Sequence, residues 1–172
     1  MDLRAVQQPI KDAYRVDPDQ ARITLTARGN AADAPIACSV DLGRAIYEAQ
    51  AHVGVGGAGT AACSGDLLLG ALAACAQLTC QMVASAMGLD VRSIETTVEG
   101  DLDLRGTLGL DREVGAGFTE LRLSFAIDAP GASAEELDAL LRKTERYCTV
   151  AQTLIAPPPL QVELTRAAAP DG

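Results

Sequence analysis

Hydrophobic and polar residues alternate in five stretches of the chain, which is the pattern of half-buried strands. The apolar positions are Ile23, Leu25 and Ala27; Ile36, Cys38 and Val40; Ile94, Val98, Leu102 and Leu104; Leu121, Leu123, Phe125 and Ile127; and Leu160, Val162 and Leu164. The pattern predicts a strand at each stretch, with Cys38 facing the core as a small hydrophobe. Gly29 and Asn30 predict a turn after the first strand, and residues 45–53 fit a further strand or a short helix.

A helix is predicted over residues 65–87, where the sequence is apolar on nearly every face. Ser64 suits the N-cap, Asp66 suits the positive end of the helix dipole, and Gly88 is a natural stop. Such a helix is about 35 Å long and needs burial on more than one side. One sheet covers a single side, so we expect a second copy of the chain to cover part of the rest.

A second helix is predicted to begin at the capping box formed by Ser133 and Glu136. Its apolar stripe has helical spacing and consists of Leu137, Leu140, Leu141, Thr144 and Cys148. Cys148 therefore lies on, or just beyond, the face directed at the core. The prolines at 157–159 end any helix.

The order of elements predicts an α+β fold rather than a doubly wound sheet, because strands and helices do not alternate regularly. We divide the chain into an N-terminal arm over residues 1–20, a single domain over 21–166 and a disordered tail over 167–172. The sequence contains no internal repeat.

Charge and composition narrow the class of function. The chain has 172 residues and a formal net charge of −9, which argues against binding to nucleic acid or to an anionic membrane. The longest apolar run, 67–76, is short for a membrane span. Residues 1–20 have no apolar stretch like that of a secretory signal, so we expect a cytoplasmic protein with reduced cysteines.

Two sites for common cofactors can be set aside. The glycines of GVGGAG, at 54–59, fit the spacing of a dinucleotide fingerprint, but no strand–helix–strand alternation follows them. We interpret this segment as a loop. A lone histidine excludes a multi-histidine site within one chain, so we expect neither a metal nor another cofactor.

The five cysteines carry the candidate chemistry. Cys75 lies midway along the long helix and Cys148 at the end of the second, so the core can bring them together. Cys80 is about 140° around the helix from Cys75 and does not share its face. Residue type and position alone leave two interpretations of Cys75 and Cys148 open, as buried filler or as reactive thiols.

The motifs around these cysteines resemble the OsmC/Ohr family. The segment ACSGDLLLGALAACAQLTCQMVASAMGL resembles the central helix of that family, in which a reactive cysteine follows a run of Leu and Ala. The later segments TVEGDLDLRGTLGL, GFTELRLSF and ERYCTVAQTL resemble its following strands and its second-cysteine segment. The resemblance covers about residues 20–165.

The resemblance implies an intertwined α+β homodimer, in which sheets wrap two long central helices and the active sites lie at the subunit interface. The reaction it implies is reduction of organic hydroperoxides to alcohols, with a dithiol or lipoyl-type reductant. Cys75 corresponds to the peroxidatic cysteine and Cys148 to the resolving cysteine.

In this family an Arg from the N-terminal region and a Glu early in the long helix activate the thiol. Arg28 corresponds to the Arg. Gly65 stands at the position of the Glu, and the adjacent Asp66 is shorter and also suits the helix dipole. Arg146, two residues before Cys148, is a further candidate cation or a surface residue.

Two more residues near the long helix are candidates. Cys63 lies just before its amino end, where the helix dipole favours a thiolate. His52 either lines the entrance to the pocket or is solvated.

Three hypotheses follow from these residues. The first is a thiol-dependent peroxidase, and the second is a non-catalytic or redox-sensing module that binds a small apolar ligand at the dimer interface. The third is a structural dimer with inert cysteines. A metal site is the weakest reading, because the chain has no CxxC motif.

Overall fold

The computed structural model describes residues 3–31, 38–41, 51–59 and 62–164, and the side chains of residues 3–7, 25–31 and 38–41 lie outside that description. The elements are α1 (Leu3–Val16), β1 (Arg22–Ala31), β2 (Cys38–Asp41), α2 (Ser64–Ala86), β3 (Ser93–Asp103), α3 (Leu104–Thr107), β4 (Phe118–Asp128), α4 (Ala134–Tyr147) and α5 (Thr149–Ile155). Short 3-10 helices lie at Pro18–Ala21 and Val53–Val55.

The strands form one antiparallel sheet in the order β2-β1-β3-β4. Val98 lies at its centre, paired with Ala27 on one side and Leu123 on the other. Burial alternates along β3, where Ile94, Thr96 and Val98 are buried. The strands predicted around 21–28, 94–104 and 121–127 are confirmed, and their apolar face is the one that packs on α2.

The long helix is confirmed as α2, which covers 23 residues. Its N-cap is Cys63 rather than Ser64, which is the first residue of the helix. The Asp66 carboxylate accepts a hydrogen bond from the Cys63 N–H at 2.7 Å, so Asp66 satisfies a backbone donor as well as facing the helix dipole. Gly88 has a φ of +70°, which is the left-handed conformation expected after a helix.

The predicted second helix forms two helices. The Ser133 hydroxyl accepts from the Glu136 N–H at 3.2 Å, and the Glu136 carboxylate accepts from the Ser133 N–H at 2.8 Å, so the predicted capping box is confirmed. Cys148 breaks the helical path with a ψ of 105°. It ends α4 and also begins α5.

The layers of the fold place α2 in the middle. It packs on β1 and β3 of the sheet on one side and on α4 and α5 on the other. By length and composition α2 is, among the described residues, the one helix long and apolar enough to span a membrane, and 50% of its most apolar window is buried inside the fold. Its contacts are those of a core helix.

Two predicted features are wrong. Gly29 and Asn30 lie inside β1, paired with Val40 and Ser39 of β2, because strand pairing outweighs their local preference for a turn. The stretch with Leu160, Val162 and Leu164 forms no strand, and these three side chains are 88%, 86% and 88% exposed. Within the described part of the chain they have no neighbouring strand to pair with.

The N-terminal segment is mostly helical, as α1, and is attached to the fold. The Tyr14 hydroxyl donates to the Gly54 carbonyl at 2.8 Å, and Tyr14 is buried in a cluster with Ala21 and Leu104. The tail predicted over 167–172, Ile36, residues 45–50 and the side chain of Cys38 lie outside the described residues.

Candidate functional site

The fold brings Cys75 and Cys148 together. Cys75 is midway along α2, and Cys148 is the residue that joins α4 to α5. Cys75 packs against the apolar cluster that contains Cys148, its thiol is close enough to raise the pKa of Cys148, and both thiols are free. Two sulfur atoms that are remote in sequence are therefore neighbours within one chain.

The two sulfurs differ in their access to solvent. Cys148 is 0% exposed, whereas Cys75 is half-buried. The cluster around them is apolar; its buried members are Cys63, Leu69, Leu72, Ala73, Ala76, Val98, Cys148 and Ala151. A reagent from solvent reaches Cys75 before it reaches Cys148.

The surroundings of Cys148 favour its protonated form. Burial, with a smaller contribution from the nearby Cys75 thiol, raises the pKa of Cys148 to about 11. The Ala151 N–H, 3.5 Å from the Cys148 sulfur, lowers the pKa but does not outweigh burial. Cys148 is therefore a thiol at neutral pH.

Cys80 is directed at a different neighbour. It is 0% exposed, and its pKa is raised by burial, with a smaller opposing effect from the nearby Thr144 hydroxyl. Thr144 lies one turn before Cys148 on α4. The contact between Cys80 and Thr144 therefore lies beside the Cys75 and Cys148 pair along the same two helices.

Cys63 does not show the environment expected of an activated thiol. It is 6% exposed, and burial raises its pKa despite its position at the amino end of α2. Backbone N–H groups of the helix lower the pKa, but the nearby Asp66 carboxylate raises it further. Burial and the carboxylate outweigh the helix dipole here.

Of the two candidate cations, Arg146 has a described side chain. It is exposed, and its guanidinium lies 5.6 Å from the centre of the Tyr147 ring. The backbone of Arg28 pairs with Thr97 of β3. The side chain of Arg28 lies outside the described part of the chain.

An apolar cavity of about 440 Å³ opens at the amino end of α2. Cys63, Gly65 and His52 line it. The His52 Nδ1 atom accepts a hydrogen bond from the Gly54 N–H at 3.0 Å, which orients the ring at the cavity wall. The apolar lining consists of Val55, Leu68, Leu102, Leu104 and Phe118.

The sequence analysis did not single out Gln77 and Thr96. Both are 0% exposed, and the Thr96 hydroxyl donates to the Gln77 Oε1 atom at 2.6 Å. The Gln77 amide donates in turn to the Ile94 carbonyl at 3.0 Å. A glutamine in the middle of an apolar helix was the available signal, since a buried amide requires partners.

The described residues contain no group of three or more His, Cys, Asp or Glu side chains arranged to hold a metal ion. The two cysteines offer thiol chemistry, in an apolar site with one accessible sulfur and one buried sulfur.

Comparison with solved structures identifies a similar fold. The crystal structure of an OsmC-like hydroperoxide resistance protein from Jannaschia sp. CCS1 superimposes with a TM-score of 0.65 and 15% sequence identity. The match covers 87% of this chain and 97% of that chain. At this identity the likeness shows a shared fold of helices and antiparallel sheet.

Comparison at the level of sequence identifies the family. No curated protein matches the chain. The family described as OsmC-like protein matches residues 57–163, which include α2, the β3–β4 hairpin, α4, α5 and both cysteines of the pair. The chain therefore belongs to the OsmC-like family.

Proposed function

We propose that this protein is a thiol-dependent peroxidase that reduces organic hydroperoxides through a redox disulfide between Cys75 and Cys148. The observation that carries the proposal is that the two free thiols are neighbours in one apolar cluster, where Cys75 raises the pKa of Cys148. Membership of the OsmC-like family and the fold shared with a hydroperoxide resistance protein support a peroxide-related role.

The unequal burial of the two sulfurs supports a different role for each. Cys75 is half-buried, which suits the nucleophile that meets the peroxide, and Cys148 is fully buried, which suits the resolving thiol. The apolar surroundings favour an alkyl hydroperoxide over hydrogen peroxide, because an alkyl group gains from leaving water.

The proposed reaction has three balanced steps. The Cys75 thiolate attacks the O–O bond, becomes a sulfenic acid and releases an alkoxide that takes up a proton to become the alcohol. The Cys148 sulfur then attacks the Cys75 sulfur, the S–S bond forms, and the hydroxide leaves as water with the proton of Cys148. An external dithiol or lipoyl-type reductant gives two electrons and two protons to restore both thiols.

Consumption of tert-butyl hydroperoxide in the presence of excess dihydrolipoamide tests the proposal. We expect Cys75→Ala to lower the rate at least about 100-fold, since the nucleophile is lost. Cys80→Ala is the matched control, because Cys80 is a buried cysteine of the same helix that points about 140° away from Cys75, and we expect it to keep the rate within about threefold.

Full activity of Cys75→Ala would contradict the proposal. So would an inactive wild type that a small apolar ligand stabilises equally with and without Cys75. That second result would instead favour a binding module built on the cavity of about 440 Å³.

We also propose that two copies of the chain associate. Large apolar side chains are exposed on α2 and on the segment after α5, which supports burial against a second copy; they are Leu67, Leu68, Met82, Leu160, Val162 and Leu164. Sedimentation equilibrium should give twice the chain mass of 17.8 kDa. A monomer at micromolar concentration would contradict the association.

A further inference from the structure

Gln77 makes the directional contact between α2 and the sheet. Its amide donates to the Ile94 carbonyl at 3.0 Å and accepts from the Thr96 hydroxyl at 2.6 Å. Gln77 and Thr96 are both 0% exposed, so neither exchanges these partners for water. Breaking the bond would leave a buried amide or hydroxyl unsatisfied.

Apolar packing also restrains α2, since Leu69 and Leu72 are buried in the core cluster. Next to Gln77, however, the buried residues of the helix are the small Ala73 and Ala76, both 0% exposed. Burial of apolar surface is non-directional. A buried hydrogen bond restricts the rotation of a helix more sharply, because it depends on direction.

The rotation of α2 decides where Cys75 points. Cys75 and Gln77 are about 200° apart on the helix, so Gln77 faces the sheet when Cys75 faces Cys148. A rotation of about 30° moves an atom about 5 Å from the axis by about 2.5 Å. A disulfide accepts only a narrow range of separations between its two Cβ atoms, so a shift of this size removes the geometry for bonding.

We propose that Gln77, through its bond to Thr96, is the positioning residue that sets the rotation of α2 and so directs Cys75 at Cys148. The proposal rests on the function proposed above, for which the two sulfurs must react with each other. Gln77 acts through the helix and does not touch the reacting sulfur atoms.

The effective concentration of the two thiols is the equilibrium constant for forming their disulfide from glutathione disulfide. It measures directly how well the two sulfurs are positioned. In buffers of reduced and oxidised glutathione, the dithiol gives up two electrons to one glutathione disulfide and two molecules of glutathione are released. Peptide mass spectrometry then gives the fraction of Cys75–Cys148 disulfide at each ratio. Urea unfolding of the same variants gives their stability.

The variants separate positioning from stability. Gln77→Met leaves the Thr96 hydroxyl and the Ile94 carbonyl without this partner, and Thr96→Val leaves the Gln77 Oε1 atom without its donor. We expect both variants to destabilise the fold. The double variant Q77M/T96V removes both polar groups, and we expect it to regain part of that stability. Ile94→Ala is the control, a buried residue whose loss destabilises the fold and leaves the Gln77 amide in place.

We expect Q77M/T96V to lower the effective concentration at least about tenfold, although its stability recovers, and Ile94→Ala to leave it within about twofold. If the effective concentration falls in step with the free energy of unfolding across all four variants, the proposal is overturned, since Gln77 would then be a structural residue. An unchanged value in the double variant would overturn it too.

The failure of this inference and the failure of the proposed function give different results. If wild type forms the disulfide in glutathione but reduces no hydroperoxide, and the double variant loses the disulfide, then Gln77 positions a redox pair with another oxidant. If wild type forms no disulfide at any glutathione ratio, both proposals are overturned.

Discussion

Cys148 has three roles within one residue. It ends α4, it begins α5 by accepting a hydrogen bond from Ala151, and its thiol lies in the cluster against which Cys75 packs. A serine would keep the capping role, because a hydroxyl also accepts from backbone N–H groups at the start of a helix. The redox role would be lost, so Cys148→Ser separates the two.

The raised pKa of Cys148 predicts how stability depends on pH. The thiol ionises near its ordinary value of 9.0 in the unfolded chain but at about 11 in the folded chain. The contribution of this thiol is therefore fully present below pH 9 and is lost as the pH rises through 11. Urea unfolding under reducing conditions between pH 7 and 11 measures the loss.

We expect the free energy of unfolding to fall less steeply above pH 9 in Cys148→Ser than in wild type. Burial also raises the pKa values of Cys63 and Cys80, so the variant should retain part of the slope. Identical slopes in the two proteins would contradict the environment described for Cys148.

At the scale of residues, the sequence predicted local structure where a residue type occurs in only a few structural settings. A capping box and a glycine after a helix have direct local causes, and Ser133, Glu136 and Gly88 were therefore predictable. Gln77 was not, because its partners come from β3, and the sequence does not show which strand faces which side of α2. The burial that raises the pKa of Cys63 is likewise a property of the packed fold.

At the scale of elements, the hydrophobic pattern predicted α2, β3 and β4. Apolar residues alternate along the two strands, and the helix is apolar on nearly every face. The predictions were wrong where pairing between distant segments decides whether a stretch forms a strand. Gly29 and Asn30 have the composition of a turn, yet β2 and β3 pair with them on both sides. The alternating stretch at 160–164 has the composition of a strand but no described partner.

The break between α4 and α5 is another result at this scale. The apolar stripe runs continuously through Leu140, Thr144 and Cys148, all of them 0% exposed, and so predicted one helix. The turn at Cys148 lets α5 pack on α2 as well. Packing against a neighbouring helix thus changes the path of the chain without changing which face is buried.

At the scale of the whole molecule, two cysteines that lie 73 positions apart in the sequence become neighbours because α2 lies between the sheet and the α4–α5 pair. The α+β class followed from the order of elements. Helical periodicity placed both cysteines where the core could bring them together, and the resemblance to a family gave them their paired roles.

The central claim is that these two sulfurs react with each other. The most direct measurement is peptide mass spectrometry of the reduced protein after one equivalent of tert-butyl hydroperoxide. The account predicts a single new linkage between the peptides that carry Cys75 and Cys148, with Cys63 and Cys80 still free. If instead both Cys75 and Cys148 remain free thiols, or if Cys75 accumulates as sulfinic acid beside an unchanged Cys148, the account is contradicted.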